Sequence, residues 1–295
     1  MENLKQSPVS PHFRALFHQN SAEHSAQTEQ AVPRRVVAHV IGVKITVPQF
    51  PMEVVLRGVE QAPPSVLTEP GNCRVLCANA AAAGLGVRGG QPLKAATALS
   101  ADIRVLRRDP GAESQVRANL AQWFHDAGYD AQFGEGVGLQ VWLSCGASRS
   151  FESLATRLRR DLRALGFRAY LSETVPLVTP LPALHRERIW LGSSAMAARF
   201  SSCLTLPWAL ARPRDLYTAV SRLLEDIRVI GEARRVPVRW VQWTFQHVTG
   251  TRDHHLFELD SPVRTIERLK LLARERLHRM PMANALCALE IKAGF

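Results

Sequence analysis

An α+β fold in two halves is what the sequence predicts, and three observations predict it. Nearly continuous β-branched runs, such as VVAHVIGVKITV at 36–47, alternate with segments whose leucines recur at helical spacing. The second half reads strand, helix, strand, strand, helix, strand, a βαββαβ unit with its hairpin at Thr249-Gly250. The first half is interrupted by Cys77 to Leu106, a stretch poor in bulky side chains that has to lie against something else to be held.

Taken in order, Met1 to Val32 is rich in Ser, Gln, His and Pro and is expected to be a flexible leader. The first domain spans 33–181. Its opening strand from Val36 is apolar enough to be buried on both faces. A short helix is predicted over Met52 to Val59, ended by Pro63-Pro64, followed by strands at Val66-Leu67 and Arg74 to Leu76. Two small-residue helices then flank a Gly-rich turn with Pro92, and Ile103 to Leu106 closes the module as a strand. Val116, Leu120, Trp123, Phe124 and Ala127 mark an amphipathic helix over Glu113 to Gly128. Gly138 to Ser144 reads as a strand, and Phe151 to Leu165 as a helix with a Leu154, Leu158, Leu162, Leu165 stripe and Gly166 as its cap. Phe167 to Ser172 returns as a strand. This order, with the module inserted after the first helix, fits a ferredoxin-like arrangement.

Residues 182–200 form a linker after the Pro176 to Pro182 boundary, and the second domain spans 201–295. Its elements are strand Cys203 to Leu210, helix Asp215 to Glu232 with Asp215 as cap, and strands Val238 to Val248 and His254 to Leu259. Helix Arg264 to Met280, opened by Ser261-Pro262, and strand Leu286 to Lys292 complete it.

Composition narrows the function classes. A net charge of +11, carried mostly by Arg, fits either a polyanionic partner or a solvated basic surface. The five cysteines are scattered without a C-x-x-C pair, so buried free thiols in a reducing cytoplasm are expected rather than a disulfide framework or zinc knuckle. No apolar run approaches the roughly 18 residues of a membrane span.

With these residues in place the chain resembles the Y-family translesion DNA polymerases, most closely their degenerate ImuB-like branch. Leu85-Gly86-Val87-Arg88-Gly89-Gly90-Gln91-Pro92-Leu93 resembles the family's fingers motif in order and spacing. The resemblance implies a palm with a small inserted fingers module over 33–181, a vestigial thumb over 182–200 and a little-finger domain over 201–295. Active members hold two metal ions on palm carboxylates, which activate the primer hydroxyl and steady the departing pyrophosphate. The alignment puts Lys44 and Thr46 at the two first-strand positions and Val137-Gly138 at the later acidic pair, and an ammonium repels Mg²⁺. The nucleotide-gripping Tyr and Arg fall at Ala80 and Ala83, which have nothing to grip with. The implied protein has no catalytic residue, no metal and no cofactor, and is not an enzyme.

Strand alternation over Val238 to Val248 sends Val241, Trp243 and Phe245 to one face and Trp240, Gln242, Thr244 and Gln246 to the other. The resemblance implies that the polar face lies along DNA, with Arg239, Arg252, Arg264, Arg268, Arg274 and Arg279 adding positive charge; a solvated helix face is the alternative for each. Trp240 packs at an edge or offers a stacking surface. His254 and His255 point to opposite faces and cannot share a metal. The function implied is a non-catalytic DNA-binding accessory in DNA repair and damage-induced (SOS) translesion mutagenesis. Its implied partners are primer-template or single-stranded DNA, a RecA-like protein, an error-prone C-family DNA polymerase and the sliding clamp. No Gln-rich clamp peptide stands between the last strand and Phe295. Two other readings stay open: an active polymerase using unconventional ligands such as Glu135, and a protein-interaction scaffold with no nucleic-acid role.

Overall fold

The computed structural model describes residues 40–146, 150–176, 199–280 and 284–295. The expected leader, the start of the first strand at Val36 and most of the expected linker lie outside the described residues.

The first strand, β1 (Val40–Val47), buries Val43, Ile45 and Val47 completely and turns Lys44 and Thr46 to the opposite face. One face is therefore covered, not the two that its β-branched run suggested. Helix α1 (Phe50–Leu56) begins before the predicted Met52, because Pro51 suits the first turn and Phe50 is buried. Then come β2 (Ser65–Thr68), β3 (Val75–Ala78), α2 (Ala80–Gly84), α3 (Leu93–Thr97) and β4 (Arg104–Arg107). These strands form their own sheet in the order β3-β2-β4, with β4 parallel to β2.

Asn79 organises this module. Its side-chain oxygen accepts from Ala82 N–H at 2.9 Å and Ser65 N–H at 3.0 Å, and its amide donates to Pro63 O at 2.8 Å. The module's own core is a few small groups, Val66, Val75, Ala82, Val87, Ala96 and Ile103. As composition required, it leans on its neighbour: Met52 of α1 packs with Leu67 and Leu106. Arg108 fastens its exit, donating to Glu69 and to Glu113, each at 2.6 Å.

Helix α4 (Pro110–Asp126) starts ahead of the predicted Glu113, because Asp109 accepts from Ala112 N–H at 2.9 Å as its N-cap. A short strand that the sequence pattern did not reveal, β5 (Asp130–Phe133), pairs with β6 (Leu139–Gly146). Helix α5 (Phe151–Ala164) and β7 (Tyr170–Thr174) complete a four-stranded antiparallel sheet ordered β5-β6-β1-β7. With β5 included, the first unit is a full βαββαβ.

The second unit runs β8 (Arg199–Leu210), α6 (Pro213–Arg234), β9 (Val238–His247), β10 (Arg252–Val263), α7 (Ile266–Arg279) and β11 (Leu286–Gly294). Arg212, not Asp215, occupies the N-cap of α6, and Asp215 lies in the first turn. Ser261 and Pro262 belong to β10, so α7 opens after Thr265 instead. The sheet order is β10-β9-β11-β8, all antiparallel, which threads the last strand between the first two.

The two units share a continuous core. Residues of α1, α4, α5 and the first sheet join those of α6, α7 and the second sheet in one cluster. Polar ties cross the seam. Arg57, following α1, is paired with Asp226 of α6, both nearly inaccessible, and donates Nε–H to Leu165 O at 2.7 Å. Ser202 of β8 donates to the other Asp226 oxygen at 2.5 Å. Burial pushes the Asp226 carboxyl upward while Arg57 pulls it down. Arg228 meets Asp161 at 3.2 Å, and Arg234 meets Asp126 at 2.7 Å.

Candidate nucleic-acid interface

The open face of the first sheet brings Lys44, Thr46, Val137 and Gly138 to one neighbourhood. Lys44 stands opposite Trp142 on β6 and Ser172 on β7, and its ammonium lies 5.3 Å from the Trp142 ring centroid. Thr46 stands opposite Gln140, and Val47 opposite Leu139, so the 137–138 bend abuts the end of β1. A Cβ on Gly138 would lie 3.3 Å from Val47 O. Glu135 is exposed on the approach to this bend. Among the described residues no three His, Cys, Asp or Glu side chains gather at metal-ligating distance. Ala80 and Ala83 are exposed on α2 and present only methyl groups.

The open face of the second sheet carries Gln242, Thr244 and Gln246 from β9, with Arg252, His254 and Leu256 opposite them on β10. Much of its hydrogen-bonding capacity is spent within the face. Thr244 Oγ1 and His254 Nδ1 are 3.0 Å apart, Ser201 donates to Glu290 at 2.9 Å, and Lys292 lies 3.3 Å from the same carboxylate. Trp240 packs against Gly294 of the neighbouring inner strand, where any Cβ would strike its indole. His255 turns to the inner face beside Phe245 and Phe257, away from His254. His247 bridges Asn284 O and the Asp253 carboxylate.

The resemblance implied that Arg239, Arg252, Arg264, Arg268, Arg274 and Arg279 add positive charge near this polar face, and the structure places them on different surfaces. Arg252 belongs to the polar face. Arg264, Arg268 and Arg274 are exposed on or just before α7, in the layer on the other side of the sheet, and Arg239 is exposed on the strand flank beside buried Val238. A sheet one residue thick has two surfaces, and basic residues from its helices reach only one of them.

That helical layer contains what the strand pattern missed. A cleft of about 1260 Å³ runs between α6 and α7, bordered by Val59, Glu60 and Ala164 of the first unit. Arg214 and Arg222 line it from α6, and Lys270, Arg274 and Arg279 from α7. The signal lay in spacing: Arg214 and Arg222 are two turns apart, and Arg274 is one turn beyond Lys270. Glu225 in its wall accepts from Lys270 at 2.5 Å and from Arg228 at 2.7 Å. Burial alone would raise that carboxyl, but the two cations hold it below its usual value.

All five cysteines are free. Cys77 is pushed up to about 11, first by burial, which leaves it an unreactive thiol at neutral pH. No helix of the described residues is long and apolar enough to cross a membrane.

No family model matches the chain, and no curated protein matches it. Solved structures give a likeness in chain course. A ternary complex of Dbh with partially disordered substrates aligns at 12% identity and a TM-score of 0.37, covering 86% of this chain and 98% of that one. DinB from Sulfolobus solfataricus aligns at 12% identity and a TM-score of 0.34 over the same shares. An insertion ternary complex of Dbh DNA polymerase aligns at 13% identity and a TM-score of 0.37.

Proposed function

We propose that this chain is a non-catalytic, polymerase-like DNA-binding protein that acts as an accessory in translesion synthesis, in the manner of the ImuB-like branch of the Y-family. In this reading 40–176 serve as palm with a fingers-like module and 199–295 as little finger. The observation that carries the proposal is the open face of the first sheet. At the positions where the family resemblance requires carboxylates stand Lys44 and Thr46 on the open face of β1 and Val137-Gly138 beside its end, with the Lys44 ammonium seated on an indole. A cation there opposes the binding of a divalent metal and a triphosphate's counter-ion together. The charge of +11 supports a polyanionic partner.

A RecA-like protein, an error-prone C-family polymerase and the sliding clamp are the protein partners this reading proposes. The test is a salt titration on labelled primer-template and single-stranded DNA, run beside primer extension with Mg²⁺. Binding that weakens steeply with salt, without extension, is the expected result. Extension that vanishes in Glu135→Gln replaces the accessory reading with an active polymerase. Absence of binding at low salt replaces it with a scaffold.

A further inference from the structure

We infer that the cleft between α6 and α7, rather than the open face of the second sheet, is where a single nucleic-acid strand lies; the inference rests on the DNA-binding reading above and assigns its surface. Three features point there. The first is unspent charge. Arg214, Arg274 and Arg279 are exposed at the rim, and among the described residues none has a carboxylate within salt-bridge distance. Arg222 lies deeper: its Nε and Nη1 donate to the carbonyls of Arg57, Arg163 and Ala164, which satisfy N–H groups without cancelling a charge. Burial depresses its pKa and Arg57 adds to the effect, while Asp226 and Glu225 oppose it. Three carboxylates, Glu60, Glu225 and Glu275, also line the cleft and are outnumbered by Arg214, Arg222, Lys270, Arg274 and Arg279.

The second feature is shape. At about 1260 Å³ the cleft exceeds the roughly 300–1,000 Å³ of small-ligand pockets. Tyr217 and Leu271, the latter 57% exposed, line it beside the cations and offer apolar surface for bases next to groups that hold phosphates. The third feature is the competing face, where Lys292, Thr244 and His254 are already engaged and Glu258 and Glu290 stand against its two exposed cations, Arg199 and Arg252, unpaired among the described residues.

The experiment compares two charge-matched triples in the full chain: Arg214→Gln/Arg274→Gln/Arg279→Gln in the cleft and Arg199→Gln/Arg252→Gln/Lys292→Gln on the sheet face. The probe is fluorescein-labelled oligo(dT) of about 12 nucleotides, within the footprint of single-strand grooves. The cleft triple should lower affinity at least tenfold at low salt. It should also flatten the slope of log K against log salt by about 2, since each lost phosphate contact removes about 0.7. The sheet triple should stay within about twofold of the parent, and matching circular dichroism and melting curves confirm that both triples are folded. Loss of binding in the sheet triple with retention in the cleft triple overturns the inference and leaves DNA binding intact. Absence of binding by the parent overturns the DNA-binding reading itself. Poly-L-glutamate binding the parent more tightly than oligo(dT), and lost in the cleft triple, reassigns the cleft to an acidic protein segment and overturns the inference.

Discussion

The two βαββαβ units run through the same elements and close their sheets differently. In the first, β1 is central and the last strand, β7, lies at an edge; in the second, β11 is central and the first strand, β8, lies at an edge. The difference shows that element order does not set strand order. It also decides what each chain segment does. A central β1 displays Lys44 and Thr46 in the middle of an open face. A central β11 makes the last residues before Phe295 a structural member clamped between β8 and β9. The units also differ in what they contribute to the seam. The first supplies backbone carbonyls and acids such as Asp126 and Asp161, and α6 of the second supplies Arg222, Arg228 and Arg234. Among the ion pairs of the described residues, Arg57 and Asp226 reverse that polarity.

That reversed pair gives the largest expected effect. Arg57→Met or Asp226→Leu alone strands a buried charge and should cost about 3–5 kcal/mol. The double variant Arg57→Met/Asp226→Leu should return to within about 1 kcal/mol of the parent, because two apolar groups replace two desolvated ones. Urea denaturation followed by tryptophan fluorescence and circular dichroism measures both. One coincident transition is expected for the two units. Separate transitions, or an Asp226→Leu cost below about 1 kcal/mol, show that the shared core does not couple them.

Much of the fold was legible where periodicity was strong. The Leu154, Leu158, Leu162 stripe and the Val241, Trp243, Phe245 alternation are buried as read. Strand β5 was not legible, since Asp-Ala-Gln-Phe is four residues long, carries no β-branched side chain and is nowhere fully buried. The placement of β11 depends on pairings with β9 and β8, segments far away in the chain, which local pattern does not encode. The site was half legible for a related reason. Alternation along β9 sorted its residues correctly by face, yet nothing in one strand says on which side of the sheet Arg264, Arg268 and Arg274 will stand. The burial of Arg57 and Asp226 comes from contacts between the two units, which local pattern does not encode.

A smaller contrast sharpens the comparison at one glycine in each sheet. A Cβ on Gly42 of β1 would collide with the Thr174 carbonyl oxygen and stand 2.8 Å from Pro176 N, all backbone that cannot yield. Gly42→Ala should therefore cost about 1–3 kcal/mol and loosen β7 from the edge of the sheet. A Cβ on Gly294 of β11 would collide with the Trp240 indole, a side chain on an open face. Gly294→Ala should cost less, under about 1 kcal/mol, with a red shift in tryptophan emission as Trp240 swings into water. Equal costs would show that Trp240 is held as firmly as backbone.

The last contrast concerns two glutamates shifted in opposite directions, one in each unit. Glu53 of α1 is raised above its usual value, chiefly by burial, although it accepts from Arg168 N–H at 3.1 Å. Glu225 of α6 is lowered, because Lys270 and Arg228 outweigh the effect of burial. A carboxyl raised in the folded state makes that state the better proton binder, so its contribution falls as pH rises from the unfolded value through the folded one. A lowered carboxyl does the reverse: its contribution is full above the unfolded value and is lost as pH falls through the folded one. Glu225→Gln should therefore lose about 1–2 kcal/mol at neutral pH, the worth of charge-assisted hydrogen bonds, and flatten the acid limb of the stability profile below about pH 4.5. Glu53→Gln keeps an acceptor for Arg168 N–H and removes the opposing slope, so it should match or exceed the parent at neutral pH. Urea midpoints measured from about pH 3 to 7 decide between them, and parallel profiles for the two variants would mean that burial, not ion pairing, governs Glu225 in the wall of the cleft.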